Sequence, residues 1–268
     1  TRETLLYTEM LTANAVIHGK REQLLGFDEI EHPLSLQLGG DDPDAMAKAA
    51  KTWDPKGKYW ESGGGGTVWN SMVFDPELNL MYIGTGNGTP WAHRKRSPAG
   101  GDNLYLASIV AINPETGDYV WHYQETPGDN WDYTSTQDLI LADIKIDGKL
   151  RKVIMHAPKN GFFYVLDAAD GELISATPFT AQNWTTGEFD ENGRPVLIEE
   201  AVDLALYAVV PGPTGAHNWH PMAFNPDTGL VYIPVNEIPF FYDKTRNVEN
   251  SKSWWNVGYD VAAGLPVE

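Results

Sequence analysis

Residues 128–133, GDNWDY, place Asp132 between Trp131 and Tyr133 in a loop that already carries Asp129 and Asn130. A carboxylate in an aromatic, water-poor setting is disposed to take a proton, because burial disfavours its charged form. The same six residues also read as two turn formers with aromatic packing. Three other stretches carry chemistry-bearing residues. In GGGGTVWNS (63–71), four glycines let backbone approach a flat ligand, and Trp69 offers a rigid stacking face. In YIGTGNGTPW (82–91), Asn87 offers a neutral amide oxygen of the kind calcium accepts beside carboxylates. In GAHNWHP (215–221), His217 and His220 have the look of a metal pair, although satisfied structural histidines are the better reading. These stretches lie tens of residues apart, so only a particular architecture can gather them.

Composition narrows the possibilities. The 268-residue chain is long enough for a sizeable core, and 26 glycines, 18 prolines and 12% aromatics favour short strands and tight turns. A net charge of -18 disfavours a phosphate-neutralising surface, so no nucleic-acid partner is expected. The absence of cysteine excludes disulfides, thiolate metal sites and cysteine nucleophiles. No apolar run is long enough for a membrane span, and no signal peptide opens the chain. The sequence begins TRETLLYTEM without Met, as a fragment or processed product does.

The chain divides near residue 50. All ten tryptophans fall at or after Trp53. Before it, TLLYTEMLT (4–12) reads as a strand leading into a helix, and HPLSLQLGG (32–40) as a buried strand closed by a glycine turn. DDPDAMAKAAK (41–51) then opens a helix with an Asp cap and Pro43 in the first turn. LLYTEMLTANAVIHG and EHPLSLQLGGDDPDAMAKAAK resemble tRNA-dihydrouridine synthases. That resemblance implies part of an FMN-binding α/β barrel, with Gln37 at a flavin-contacting position. The family's catalytic cysteine has no counterpart in this chain.

The remainder repeats one turn grammar. FDPELNLMYIG (74–84), INPETGDYVWHY (112–123), LDAADGELISA (166–176) and FNPDTGLVYIP (224–234) each run from an apolar residue through Asp or Asn, then Pro or Ala, to Gly or Asn. Asp or Asn opens such a turn through its side chain, and the last residue takes the left-handed conformation that returns an antiparallel strand. Four such hairpins predict sheet modules repeated radially. The fold expected is mainly β, a partial β-propeller over residues 51–268 preceded by a short α/β segment at 1–50.

AINPETGDYVW (111–121) resembles the tryptophan-docking repeat of quinoprotein dehydrogenases, where a Trp packs on the peptide of a Gly in the neighbouring blade. WDPKGKYWESGGGGTVWNSMVFDPELNLMYIGTGNGTPW (53–91), WHYQETPGDNWDYTS (121–135), HAPKNGFFYVLD (156–167) and GAHNWHPMAFNPDTGLVYIPVNE (215–237) resemble alcohol dehydrogenases that use pyrroloquinoline quinone (PQQ) and calcium. The resemblance implies about half of an eight-bladed propeller. It also implies that Asp132 is the catalytic base and, with Asn87, a calcium ligand. It implies that Thr67 bonds a cofactor carboxylate and that Trp69 stacks on the quinone. Lys159 would face the quinone oxygens, with Asn218 and Trp219 in the cofactor pocket. Trp131 and Tyr133 are expected to wall Asp132 off from water, with Asp129 as an exposed turn cap.

By the same resemblance the substrate is a small alcohol, the electron acceptor a cytochrome c and the compartment the periplasm. The family's calcium-binding glutamate and its pair of adjacent cysteines lie upstream of the matching stretch. Their place is taken here by the synthase-like piece, so impaired activity is expected, as is an exposed apolar flank. Two other readings remain open at this stage. One is a cofactor-free β-repeat interaction module; the other, carried by the first fifty residues, is a fragment of an FMN-dependent tRNA-modifying enzyme.

Overall fold

The computed structural model describes residues 64–204 and 207–243, together with four two-residue strands nearer the N-terminus. The chain divides into two compact units, Thr1–Lys51 and Thr52–Glu268. In the first, β1 (Leu6–Tyr7) pairs in parallel with β3 (Leu34–Ser35), and β2 (Leu11–Thr12) with β4 (Leu38–Gly39). Parallel strands are joined by a crossover connection, and the residues between these strands lie outside the described ones. The helix expected over 41–51 lies outside the described residues.

The second unit opens with β5 (Gly64–Gly65), followed by β6 (Val73–Asp75), β7 (Leu80–Gly84), β8 (Gly88–Thr89) and the short helix α1 (His93–Arg96). Next come β9 (Ser108–Ile112) and β10 (Tyr119–Gln124). Strands β6, β7, β9 and β10 form one antiparallel four-stranded sheet in chain order. A second such sheet consists of β11 (Ile140–Ile146), β12 (Lys149–His156), β13 (Phe162–Asp167) and β14 (Leu173–Pro178). Four consecutive strands paired neighbour to neighbour are the blade unit of a propeller. Smaller pairs follow. β15 (Thr185–Phe189) pairs with β16 (Pro195–Leu197), and the helix α2 (Glu199–Asp203) leads to β17 (Tyr207–Val209). β18 (Ala223–Asn225) pairs with β19 (Leu230–Tyr232), and β17 with β20 (Phe240–Tyr242).

All four repeated turns adopt the conformation their sequences predict. Asp75, Asn113, Asp167 and Asn225 each accept backbone N–H groups two or three residues on through Oδ1. Asn79, Gly117, Gly171 and Gly229 then take φ of 53°, 77°, 76° and 69°. Strand alternation sorts the core. Phe162, Tyr164 and Leu166 of β13 join Tyr82, Ile109 and Trp121 of the first blade in one apolar cluster. Val165 turns to the other face, with Val153 and Met155. Each large apolar side chain so buried contributes about 1.5–3 kcal/mol.

The docking tryptophan ties the two blades together. Trp121 donates from Nε1 to Ala168 O at 3.2 Å, and a Cβ on Gly171 would lie 2.5 Å from its ring. Tyr82 donates to the same carbonyl at 2.9 Å. Gly171 is therefore required twice, for its left-handed φ and for the ring seated on its peptide. Gly171→Ala is expected to lower the unfolding free energy by about 1–3 kcal/mol or more. A urea midpoint equal to wild type would show that the contact carries no weight. Trp219, Leu230, Tyr232, Val235, Ile238 and Phe241 are exposed, so apolar surface gathers on the last described sheets.

Candidate active site

The Asp132 turn is built around Asp129. That residue is fully buried, and its Oδ1 accepts the N–H groups of Trp131 at 3.1 Å and Tyr133 at 3.0 Å. It caps the turn as expected, but it is not exposed. The chain buries it because the flanking aromatic residues draw the whole loop into the core. Its Oδ2 has no partner among the described residues, and burial pushes its carboxyl above the usual carboxylate range.

The aromatic neighbours also correct an expectation. Trp131 donates from Nε1 to Ala201 O at 2.9 Å, and Tyr133 donates from its hydroxyl to Pro211 O at 2.5 Å. Both rings pack on Trp184, at centroid distances of 5.4 and 5.6 Å. They act as anchors that fix the turn from below. Asp132, between them, takes a φ of 71°, a left-handed conformation that Asp tolerates better than most residues.

Asp132 faces Lys159. The ammonium donates to Asp132 Oδ2 at 3.0 Å and to the Asp132 main-chain oxygen at 3.1 Å. The two side chains are 15% and 8% exposed, which rules out a solvated surface lysine. Burial pushes the Asp132 carboxyl up to about 7; Lys159 opposes that rise, and the Asp129 charge adds to it. A carboxylate poised near neutrality suits a general base.

Lys159 is held from several sides. Its main-chain oxygen accepts from Ala216 N at 2.9 Å, and a Cβ on Gly215 would lie 2.4 Å from its Cγ. The next residue, Asn160, is buried and donates to Glu125 O, Thr126 Oγ1 and the Tyr164 hydroxyl. Behind it, His156 and Glu125 form a fully buried pair, Nδ1 to Oε1 at 2.8 Å, with His156 Nε2 against Gln137 O at 3.2 Å. Gln137 O can only accept, so His156 Nε2 carries a hydrogen.

The glycine-rich stretch runs beside the Asn87 segment. Gly64 and Gly65 pair with Thr89 and Gly88, and Gly66 donates its N–H to Asn87 O at 3.0 Å. A Cβ on Gly65 would lie 2.3 Å from Asn87 O, so only glycine permits this approach. The Thr67 backbone lies against Gly86, and Ser135 N donates to Thr85 O at 3.0 Å. Thus the Thr67, Asn87 and Asp132 segments adjoin in turn. Asn87 Nδ2 is turned to Gly88 O at 3.3 Å. Asn218 donates to Thr214 O at 2.9 Å, while its Oδ1 is shielded from solvent and has no partner among the described residues. Trp69 and Trp219 stand apart from this chain of contacts as exposed rings, 43% and 62% exposed, with Trp219 stacked on His220. His217 is structural, its two ring nitrogens lying 2.5 and 2.6 Å from the Ala157 and His220 carbonyl oxygens. Among the described residues, no group of three or more His, Asp or Glu could hold a metal.

Comparison with known proteins decides the lineage. Residues 41–192 match the family described as "PQQ: Glucose/ethanol/alcohol dehydrogenase, beta-propeller domain". The chain belongs to the PQQ-dependent alcohol dehydrogenase family. Residues 1–61 also match the dihydrouridine synthase family, overlapping the first match by some twenty residues. A quinohemoprotein alcohol dehydrogenase of Comamonas testosteroni is 63% identical over 79% of this chain and 29% of its own length. A 1-butanol dehydrogenase (cytochrome c) of Thauera butanivorans is 53% identical over 76% of this chain and 30% of its own length. The crystal structure of the Comamonas testosteroni enzyme superposes with a TM-score of 0.78 at 58% identity, covering 81% of this chain and 34% of that one. The chain therefore spans about a third of the length of these relatives, and it matches their β-propeller architecture.

The described residues fit an anionic, planar quinone in part. Lys159 supplies a cation, Asn218 Oδ1 a polar atom unsatisfied among the described residues, and Trp69 an exposed ring face, while Trp219 is already stacked on His220. They do not make a calcium shell, since Asn87 and Asp132 together fall short of the six to eight oxygens the ion takes. Sequence reasoning missed three working parts: Arg96, Glu125 and His156. Arg96 sits in AHRKRS, which reads as a basic surface patch, and nothing in its spacing marks it as buried.

Proposed function

We propose that this chain forms the base-bearing part of a PQQ-dependent alcohol dehydrogenase that oxidises a primary alcohol to an aldehyde. The observation that carries the reading is the buried Asp132–Lys159 pair at 3.0 Å, with the Asp132 carboxyl poised near neutrality. When bound, PQQ supplies an electrophilic carbonyl that accepts the hydride equivalent released from the alcohol carbon. Asp132 Oδ2 takes the hydroxyl proton of the alcohol as the carbon–hydrogen bond breaks. Lys159 keeps that carboxylate ionised and oriented, and its positive charge favours negative charge developing nearby. The Asp129 cap and the buried rings of Trp131 and Tyr133 hold the base in place, so little reorganisation is needed.

Thr67, Trp69, Lys159, Asn218 and Trp219 are assigned to cofactor binding, and Asn87 with Asp132 to calcium. The remaining calcium ligands must come from outside the described residues. The lineage favours a periplasmic setting, with a cytochrome c as electron acceptor. Residues 1–50 are assigned to a separate βα piece that takes no part in the reaction.

The test is a titration of the 268-residue chain with PQQ in the presence of Ca²⁺, followed by Trp fluorescence. Saturable quenching that Lys159→Met weakens supports the site. Quenching absent from wild type, or unchanged by Lys159→Met, would return the β-repeat interaction module as the better reading.

A further inference from the structure

We infer that Arg96 is the positioning residue of this site, its guanidinium locking the Asn87 segment to the Asp132 turn. The functional weight of that lock rests on the reading above; the lock itself does not. Arg96 ends α1 and is fully buried. Its Nη2 donates to Asp129 O at 2.5 Å, Nη1 to Pro90 O at 2.5 Å and Trp91 O at 3.0 Å, and Nε to Asn103 Oδ1 at 2.8 Å. Three segments are thereby held by one planar group. Asp129 is the residue whose side chain caps the Asp132 turn. Pro90 and Trp91 continue the strand that begins beside Asn87.

Two further contacts tighten the arrangement. A Cβ on Gly88, next to Asn87, would lie 2.6 Å from Arg96 Nε and 2.7 Å from its Cδ, so the guanidinium stem lies directly on that glycine. At the other end of α1, His93 N donates to Asn130 Oδ1 at 2.9 Å. The helix thus grips both Asp129 and Asn130. A buried charge is costly unless its donors are used, and an apolar side chain would fill the same space with less desolvation. Here the fork geometry uses all three nitrogens on acceptors from separate segments, which an ammonium cannot match.

Hydrogen exchange on the 268-residue chain tests this without any cofactor. Arg96→Lys keeps the charge and loses the fork. Asn103→Gly removes the Nε acceptor together with the Nδ2 bond to Ser97 Oγ at 2.7 Å, and glycine accepts the φ of 56° that Asn103 adopts, so this variant keeps the backbone intact. Both are expected to speed amide exchange about tenfold or more in residues 85–91 and 129–134, with Lys149–His156 as protected as in wild type. Equal acceleration in Lys149–His156, protection at wild-type level, or full rescue by Lys would overturn the assignment. A parallel titration with PQQ and Ca²⁺ separates the two proposals. If wild type quenches and both variants need about tenfold more PQQ, the lock serves the site. If wild type fails to quench, the functional reading falls while the exchange result stands. Unchanged PQQ affinity in variants with accelerated exchange would overturn the positioning role.

Discussion

Asp132→Asn, set with this segment into a full-length relative, lowers kcat for alcohol oxidation by about 10²–10⁴-fold while PQQ still binds. Asn keeps the size of the side chain and one oxygen, so packing and the Lys159 contact persist. It cannot accept the alcohol proton at neutral pH, so the loss falls on turnover more than on cofactor affinity. Asp132 is the carboxylate that faces Lys159, whereas Asp129 points its Oδ1 at two backbone amides. Steady-state oxidation with an artificial electron acceptor, beside a PQQ titration, reads both quantities. Near-normal turnover in Asp132→Asn would show that another group is the base.

Lys159→Met and Asp129→Asn should move the pH dependence of kcat/KM in opposite directions. The base works deprotonated, so activity rises with pH through the Asp132 midpoint, which the calcium assigned to it draws below the metal-free value of about 7. Lys159 lowers that value. Its removal therefore moves the midpoint upward, by about 1–3 pH units for an opposite charge at contact distance, and activity on the acid limb of the profile drops tenfold or more. Asp129 raises the Asp132 value, so Asp129→Asn moves the midpoint downward and leaves the plateau close to wild type. The amide can still accept both N–H bonds, and its nitrogen replaces an oxygen that has no partner among the described residues. Midpoints that move together, or a Lys159→Met midpoint below that of wild type, would refute the electrostatic account. An unmoved Asp129→Asn midpoint would mean that Asp129 already carries its proton in this range.

The sequence by itself determined what is local. The four Asp/Asn-to-Gly/Asn turns fix their hairpins because side-chain caps and a left-handed residue are short-range requirements, and each was found where its residues predicted. Trp121 was legible as a docking residue because the motif carries its own partner type, a glycine one blade away. Asp132 drew notice through its aromatic company, and the family resemblance was needed to name it as the candidate base. What the tertiary structure decided is which way that company faces. Trp131 and Tyr133 could have walled the carboxylate, yet long-range bonds to Ala201 and Pro211 turn them into the core. Asp129 could have been a surface cap, yet the same burial enclosed it. Lys159 meets Asp132 from 27 residues away, and the bonds of Arg96 reach back to Pro90 and forward to Asp129. No spacing rule encodes those meetings, because they depend on which loops of successive blades end side by side, and burial then sets the proton affinity of the carboxylate they share.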